Sequence, residues 1–87
     1  MDGRIRIAFN LRRIRAAKRV SQENLAVDAG VDRGTISEIE GLKFNPSIDL
    51  LDRLASALEV DVAELVLAPP SDSEWPKPLK AGRKVGK

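Results

Sequence analysis

Arg33, Thr35, Ser37 and Glu38 lie within six residues of one another in the stretch SQENLAVDAGVDRGTISEIE, Ser21 to Glu40. At helical spacing Arg33 and Ser37 share one face, as do Gly34 and Glu38, while Ile36 and Ile39 fall on another. The chemistry these side chains offer is recognition. An arginine fork suits a pair of acceptor oxygens or nitrogens, a hydroxyl donates or accepts, and a carboxylate only accepts. Bond making is a poor fit. The chain has no histidine and no cysteine, which removes imidazole bases, thiol nucleophiles, disulfides and the usual zinc ligands together. Thr35, Ser37 and the carboxylates lack a base, a metal cluster or a nucleophile constellation, so an enzyme is not expected. Nor is a cofactor or a metal.

The elements that must hold this stretch are short helices. Ile7, Leu11 and Ile14 recur at i, i+4 and i+7 with arginines on the other faces, which predicts an amphipathic helix over about Arg4 to Lys18. Ser21 is a good N-cap for a second helix, with Gln22, Leu25, Ala26 and Ala29 inward and Gly30 able to take the left-handed closing conformation. Asp32 is placed to cap a third helix from about Arg33 to Gly41, with Ile36 and Ile39 buried. Pro46 closes the loop GLKFNP. Ser47 then caps a fourth helix with Leu51, Leu54, Ala55 and Leu58 inward, ending near Glu59. Asp61 with Glu64 resembles a capping box opening a short fifth helix that carries Val62, Leu65 and Val66. From Pro69 onward, PPSDSEWPKPLKAGRKVGK has too few apolar residues to offset the entropy of ordering. The expected organisation is one domain over 1–68 and a mobile basic tail over 69–87.

Eighty-seven residues bound the core to a modest size and suggest one interface. No apolar run approaches the roughly eighteen residues of a membrane span, and MDGRIRIAFN lacks the apolar block of a secretory signal. A cytoplasmic protein of bacterial type, with no membrane contact, is the simplest expectation. The net charge of +2 hides a segregation: residues 1–20 carry +6, residues 21–68 carry −7 and residues 69–87 carry +3. Basic ends around an acidic middle suit an anionic partner, and they suit an ordinary solvated surface equally well.

A helix, a short turn with glycine and a second helix is the arrangement that sets a helix into the DNA major groove. The polar outer face of Arg33, Gly34, Ser37 and Glu38 meets the further requirement. A helical hairpin with a solvated face has the same spacing.

Beyond spacing, SQENLAVDAGVDRGTISEIE followed by NPSIDLLDRLASALEV resembles the Cro and phage-repressor (Cro/C1-type, XRE family) helix-turn-helix regulators. The resemblance runs from about Ile7 to Val66, through all five helices in order. It implies an all-α, compact five-helix, lambda-repressor-like DNA-binding domain followed by the flexible basic tail. It also implies a homodimer on double-stranded DNA, on a palindromic or direct-repeat operator, with the third helix in the major groove. Repression or activation then follows from the operator's position.

Residue by residue, Gln22 matches the family glutamine that contacts the DNA backbone at the start of helix 2, where free helix amides favour phosphate. Arg33, Gly34, Thr35, Ser37 and Glu38 match positions that approach base edges. Arg33 has the fork for guanine O6 and N7, a contact that discriminates by about 1–3 kcal/mol per base pair; a phosphate contact is its alternative. Gly34 departs from the family, having no side chain to reach a base. Glu38 is repelled by phosphate unless it accepts from a cytosine amino group or pairs with Arg33. Lys43 and Asn45 are placed for phosphate. Arg15 and Glu40 sit where the family has an internal ion pair joining helix 1 to helix 3.

The family's glycine usually occupies the position of Leu42, and here Gly41 comes one residue early. Either helix 3 closes sooner or Leu42 takes a left-handed backbone. Phe44 is expected either to pack beneath the loop, the commoner fate of a lone aromatic, or to shield the phosphate contact. Two apolar surfaces remain for self-association: Val62, Val66 and Leu67 with Leu50, and Ile5 with Phe9 on the back of helix 1. Arg4, Arg6, Arg12 and Arg13 are phosphate contacts or plain solubility charges. The competing reading is a helix-turn-helix protein-interaction module or antitoxin that docks a protein partner through the tail and Trp75.

Overall fold

Gly3–Lys18 forms α1, Gln22–Ala29 α2, Arg33–Glu40 α3 and Ile48–Leu58 α4, and a 3-10 turn follows at Val62–Leu65. A computed structural model describes residues 3–68, and among them no strand occurs. The expected tail over 69–87, with Trp75, lies outside the described residues.

The helices pack as a closed ring. Helix α3 lies against both α1 and α2, α2 against α4, and the 3-10 turn touches α4 on one side and α1 on the other. Ile7, Leu11 and Ile14 of α1 meet Leu25, Ile36, Ile39, Leu54 and Leu65 in one core. Each fully buried leucine or isoleucine contributes about 1.5–3 kcal/mol. Polar residues enter this interior at three places only among the described residues: Asn10, Arg15 and Glu40.

All four α-helices close in the same way. One residue at each closure takes a left-handed backbone: Arg19 (φ 60°), Gly30 (74°), Leu42 (65°) and Glu59 (61°). The following amide then bonds back across the last turn: Val20 to Arg15, Val31 to Ala26, Lys43 to Glu38 and Val60 to Ala55, at 2.8–3.0 Å. This is the double closure that satisfies orphan carbonyls at a helix end. At three joints the residue after the left-handed one is a valine packed against the core, and the next is a cap: Val20–Ser21, Val31–Asp32 and Val60–Asp61. One template therefore turns the chain three times.

Helix α3 ends at Glu40, one residue before the expected Gly41, and Leu42 also adopts the left-handed backbone. Both outcomes of the displaced glycine occur together. Phe9 is buried, contrary to the expected free back of α1, because every residue from Ile7 to Leu11 is covered. Ile5 is half-buried. Phe44 is 37% exposed and lies outside the core.

The fifth helix is not an α-helix. Its four residues cannot repay helix nucleation, and the bonds that form are of the tighter i to i+3 kind: Glu64 N–H to the Asp61 carbonyl (2.9 Å) and Val66 N–H to the Ala63 carbonyl (3.1 Å). The Asp61 carboxylate accepts from the Ala63 amide at 2.8 Å. Glu64 faces Arg13, at 3.8 Å. Helix α1 fastens this turn from the side. Asn10 Nδ2 donates to the carbonyls of Leu65 (3.1 Å) and Leu67 (2.8 Å), and Arg6 donates to that of Val66 (3.1 Å).

Candidate nucleic-acid interface

Gly30 sets the angle between α2 and α3. Its positive φ lets the chain reverse within Gly30–Asp32, and Val31 anchors the turn against the core. At the start of α2 the Ser21 hydroxyl accepts from the Asn24 amide at 2.9 Å. Asp32 differs from expectation: it holds the cap position of α3, but its side chain makes no capping bond. Its carbonyl receives the amides of Thr35 (3.0 Å) and Ile36 (3.4 Å) instead.

With Ile36 and Ile39 buried, α3 turns Arg33, Gly34, Ser37 and Glu38 outward, and Thr35 is half-buried at the edge of that face. Lys43 and Asn45, in the connection that follows, are exposed as well. The Lys43 amide is tied to the Glu38 carbonyl at 2.8 Å, which fixes the lysine beside the last turn of α3. Gly34 has no neighbour within 4 Å of the position a Cβ would take, so the fold itself gives no reason for a glycine. The outward face is polar and exposed.

Beneath that face lies a buried charge cluster centred on Glu40. Arg15 Nε donates to Oε2 at 2.7 Å and Nη2 to Oε1 at 2.9 Å, with both side chains 4% exposed. Arg15 Nη1 also donates to the Val20 carbonyl at 2.9 Å. Gln22 Nε2 donates to Glu40 Oε1 at 3.1 Å, and Arg12 adds a bond to the Glu40 carbonyl at 3.1 Å. The start of α2, the end of α3 and the middle of α1 are thus pinned to one carboxylate. The inward placement of Gln22 was legible from sequence but its bond to Glu40 was not, and the part of Arg12 was missed although Arg12 and Arg15 stand three apart on one helix face. Asn10 was missed too. Its signal was a polar residue on the inward stripe, three after Ile7 and four before Ile14.

Of the residues considered for self-association, Leu50 and Val62 are half-buried against the monomer's own core, whereas Val66 and Leu67 are 41% and 47% exposed. Val27 and Ile48, not singled out from sequence, are the most exposed large apolar residues, at 72% and 71%. Among the described residues no helix is long and apolar enough to cross a membrane, and no group of three or more histidine, cysteine, aspartate or glutamate side chains could hold a metal ion.

This turn, its outward polar face and the buried ion pair coincide with a family model described as helix-turn-helix, which matches residues 11–65. The chain belongs to the Cro/C1-type helix-turn-helix family. Members of this family are DNA-binding transcription regulators. Similar proteins include a hypothetical transcription factor of Neisseria meningitidis, 37% identical over 68 residues that make up 78% of this chain and 64% of that protein. The transcriptional regulator SlrR of Bacillus subtilis is 39% identical over 66 residues, 75% of this chain and 40% of that one. This helix-turn-helix chain therefore spans less than two thirds of the length of either relative. Among solved structures, the Neisseria factor superposes with a TM-score of 0.75, covering 78% of each chain. The restriction-modification controller C.AhdI of Aeromonas hydrophila superposes with 0.69 at 35% identity, over 71% of this chain and 94% of that one.

Proposed function

We propose that this helix-turn-helix chain is a sequence-specific, repressor-type regulator that acts as a homodimer on double-stranded DNA and reads the major groove with α3. The observation that carries the reading is the outward face of Arg33, Gly34, Ser37 and Glu38, held rigid by the Gly30 turn and by Glu40 beneath it. Arg33 reads guanine, Thr35 and Ser37 offer hydroxyls to bases or phosphate, and Glu38 accepts from a cytosine amino group or steers Arg33. Gln22, Lys43 and Asn45 contact phosphates and set the register. Val66 and Leu67 are the exposed apolar residues available for the two-fold contact. Such a dimer spaces its two α3 helices by roughly 34–36 Å, one turn of duplex. The setting is the bacterial cytoplasm, with residues 1–68 as reader and 69–87 as a basic tail.

The exposure of Phe44, Leu42 and Ile48 favours a second reading, in which the same domain docks a protein partner, with the tail as a further contact. Selection of bound sequences from a random duplex pool separates the two. A two-half-site sequence whose base preference relaxes in Arg33→Ala, and whose affinity falls steeply with salt, supports the regulator. Weak binding that is indifferent to Arg33 and salt overturns it.

A further inference from the structure

Seven basic residues occupy Arg4 to Arg19, and the fold commits most of them internally. Arg6 holds the Val66 carbonyl, Arg13 holds Asn10 Oδ1 and faces Glu64, and Arg12 and Arg15 converge on Glu40. Arg4 is not free either. Lys18 and Arg19 are left, both exposed and with no ion pair or side-chain hydrogen bond among the described residues. Lys18 has an ordinary explanation, since a cation in the last turn of a helix complements its dipole. Arg19 has none. It stands outside α1 at φ 60°, a left-handed position that favours glycine, filled by Gly30 after α2 and by Leu42 and Glu59 after α3 and α4.

We propose that Arg19 is a phosphate-contacting residue of the DNA interface, extending the backbone footprint from the start of α2 to the α1–α2 joint. The inference rests on the DNA-binding reading above. Arg19 is three residues before Gln22, and the joint between them is stiff. Val20 is packed on the core, its carbonyl is held by Arg15 at 2.9 Å, and Ser21 caps α2. A cation on so fixed a backbone is aimed rather than dispersed. Glu23, exposed one turn away, pairs with neither Lys18 nor Arg19, so among the described residues no carboxylate forms an ion pair at the joint. An exposed long cation with no ion pair or side-chain hydrogen bond among the described residues, on a backbone fixed beside the start of α2, is available to an external anion.

The test compares the full chain with Arg19→Gly, Arg19→Gln and Glu59→Gly, titrated with the selected duplex and with a scrambled duplex of equal length over a salt series. Arg19→Gly is expected to weaken binding to both duplexes by the same factor. It should also make the slope of log affinity against log salt shallower by about 0.9, the loss of one phosphate contact, without lowering the melting temperature. Arg19→Gln, which keeps the backbone cost and loses the charge, should show the same loss of slope. Glu59→Gly makes the same backbone exchange at the end of α4 and should leave the slope unchanged. A wild-type slope in both Arg19 variants overturns the inference while the DNA reading stands. Salt-independent binding by the wild type overturns the DNA reading and this inference with it.

Discussion

Arg15 and Glu40 meet through two parallel bonds, at 2.7 and 2.9 Å, in the interior between α1 and α3. Breaking one side of such a pair strands a charge away from water. Arg15→Ala or Glu40→Ala is expected to lower stability by about 3–5 kcal/mol, whereas replacing both partners with apolar residues of similar volume should cost far less. Urea unfolding of the three variants measures this. Single losses under about 1 kcal/mol would mean that the pair behaves as a solvated one.

Asn10 closes the ring of elements. Its amide reaches two carbonyls of the segment after the 3-10 turn, Leu65 and Leu67, from a fully buried position. Asn10→Ala leaves both acceptors short of a partner and is expected to cost about 1–3 kcal/mol. Asn10→Asp, which cannot donate when ionised, should be no better. Hydrogen exchange at Leu65 and Val66 should rise more than at Leu25 or Ile36, because the 3-10 turn comes loose first. Uniform exchange across the chain would disprove a local clamp.

Gly30 and Gly34 both have open space where a Cβ would stand, yet alanine should act with opposite sign at the two. At Gly30 the backbone is left-handed, so Gly30→Ala is expected to destabilise by about 1 kcal/mol through strain alone. Gly34 is an ordinary helical residue of α3, and Gly34→Ala should stabilise by about 0.5–1 kcal/mol. Thermal unfolding reads both. Should Gly34→Ala gain stability and lose DNA affinity, the glycine serves close approach of α3 to the duplex; unchanged affinity would exclude that role.

Val66 and Leu67 remain 41% and 47% exposed while their carbonyls are held by Arg6 and Asn10, so their side chains can be altered without opening the monomer. Sedimentation equilibrium of Leu67→Asp, alone and with Val66→Asp, is expected to show a weaker dimer and an unchanged melting temperature for the monomer. Wild-type self-association in the double variant would move the two-fold contact elsewhere, with exposed Val27 and Ile48 the next residues to test.

Local signals settled much of this architecture. The apolar stripes of α1 and α4, the serine caps at Ser21 and Ser47 and the glycine closure at Gly30 are short-range features, so they read directly from spacing. The outward face of α3 followed as soon as Ile36 and Ile39 were assigned inward. The recurring closure by a left-handed residue, a core valine and a cap is equally local, but two of its three joints carry Arg19 and Glu59 in place of the glycine that marks such a closure in sequence.

Tertiary contact decided the rest. Val62–Leu65 carries capping residues that suit an α-helix, but a four-residue segment takes its form from what it packs against, and α1 and α4 hold it as a 3-10 turn. Whether an arginine faces DNA or the protein's own carbonyls depends on a partner more than twenty residues away, as Arg12 and Arg15 show with Glu40. Periodicity assigns a residue to a side of its own helix. It carries no information on what the neighbouring helix places opposite, and that decided the burial of Phe9, the exposure of Phe44 and which of the described arginines the protein's own acceptors hold.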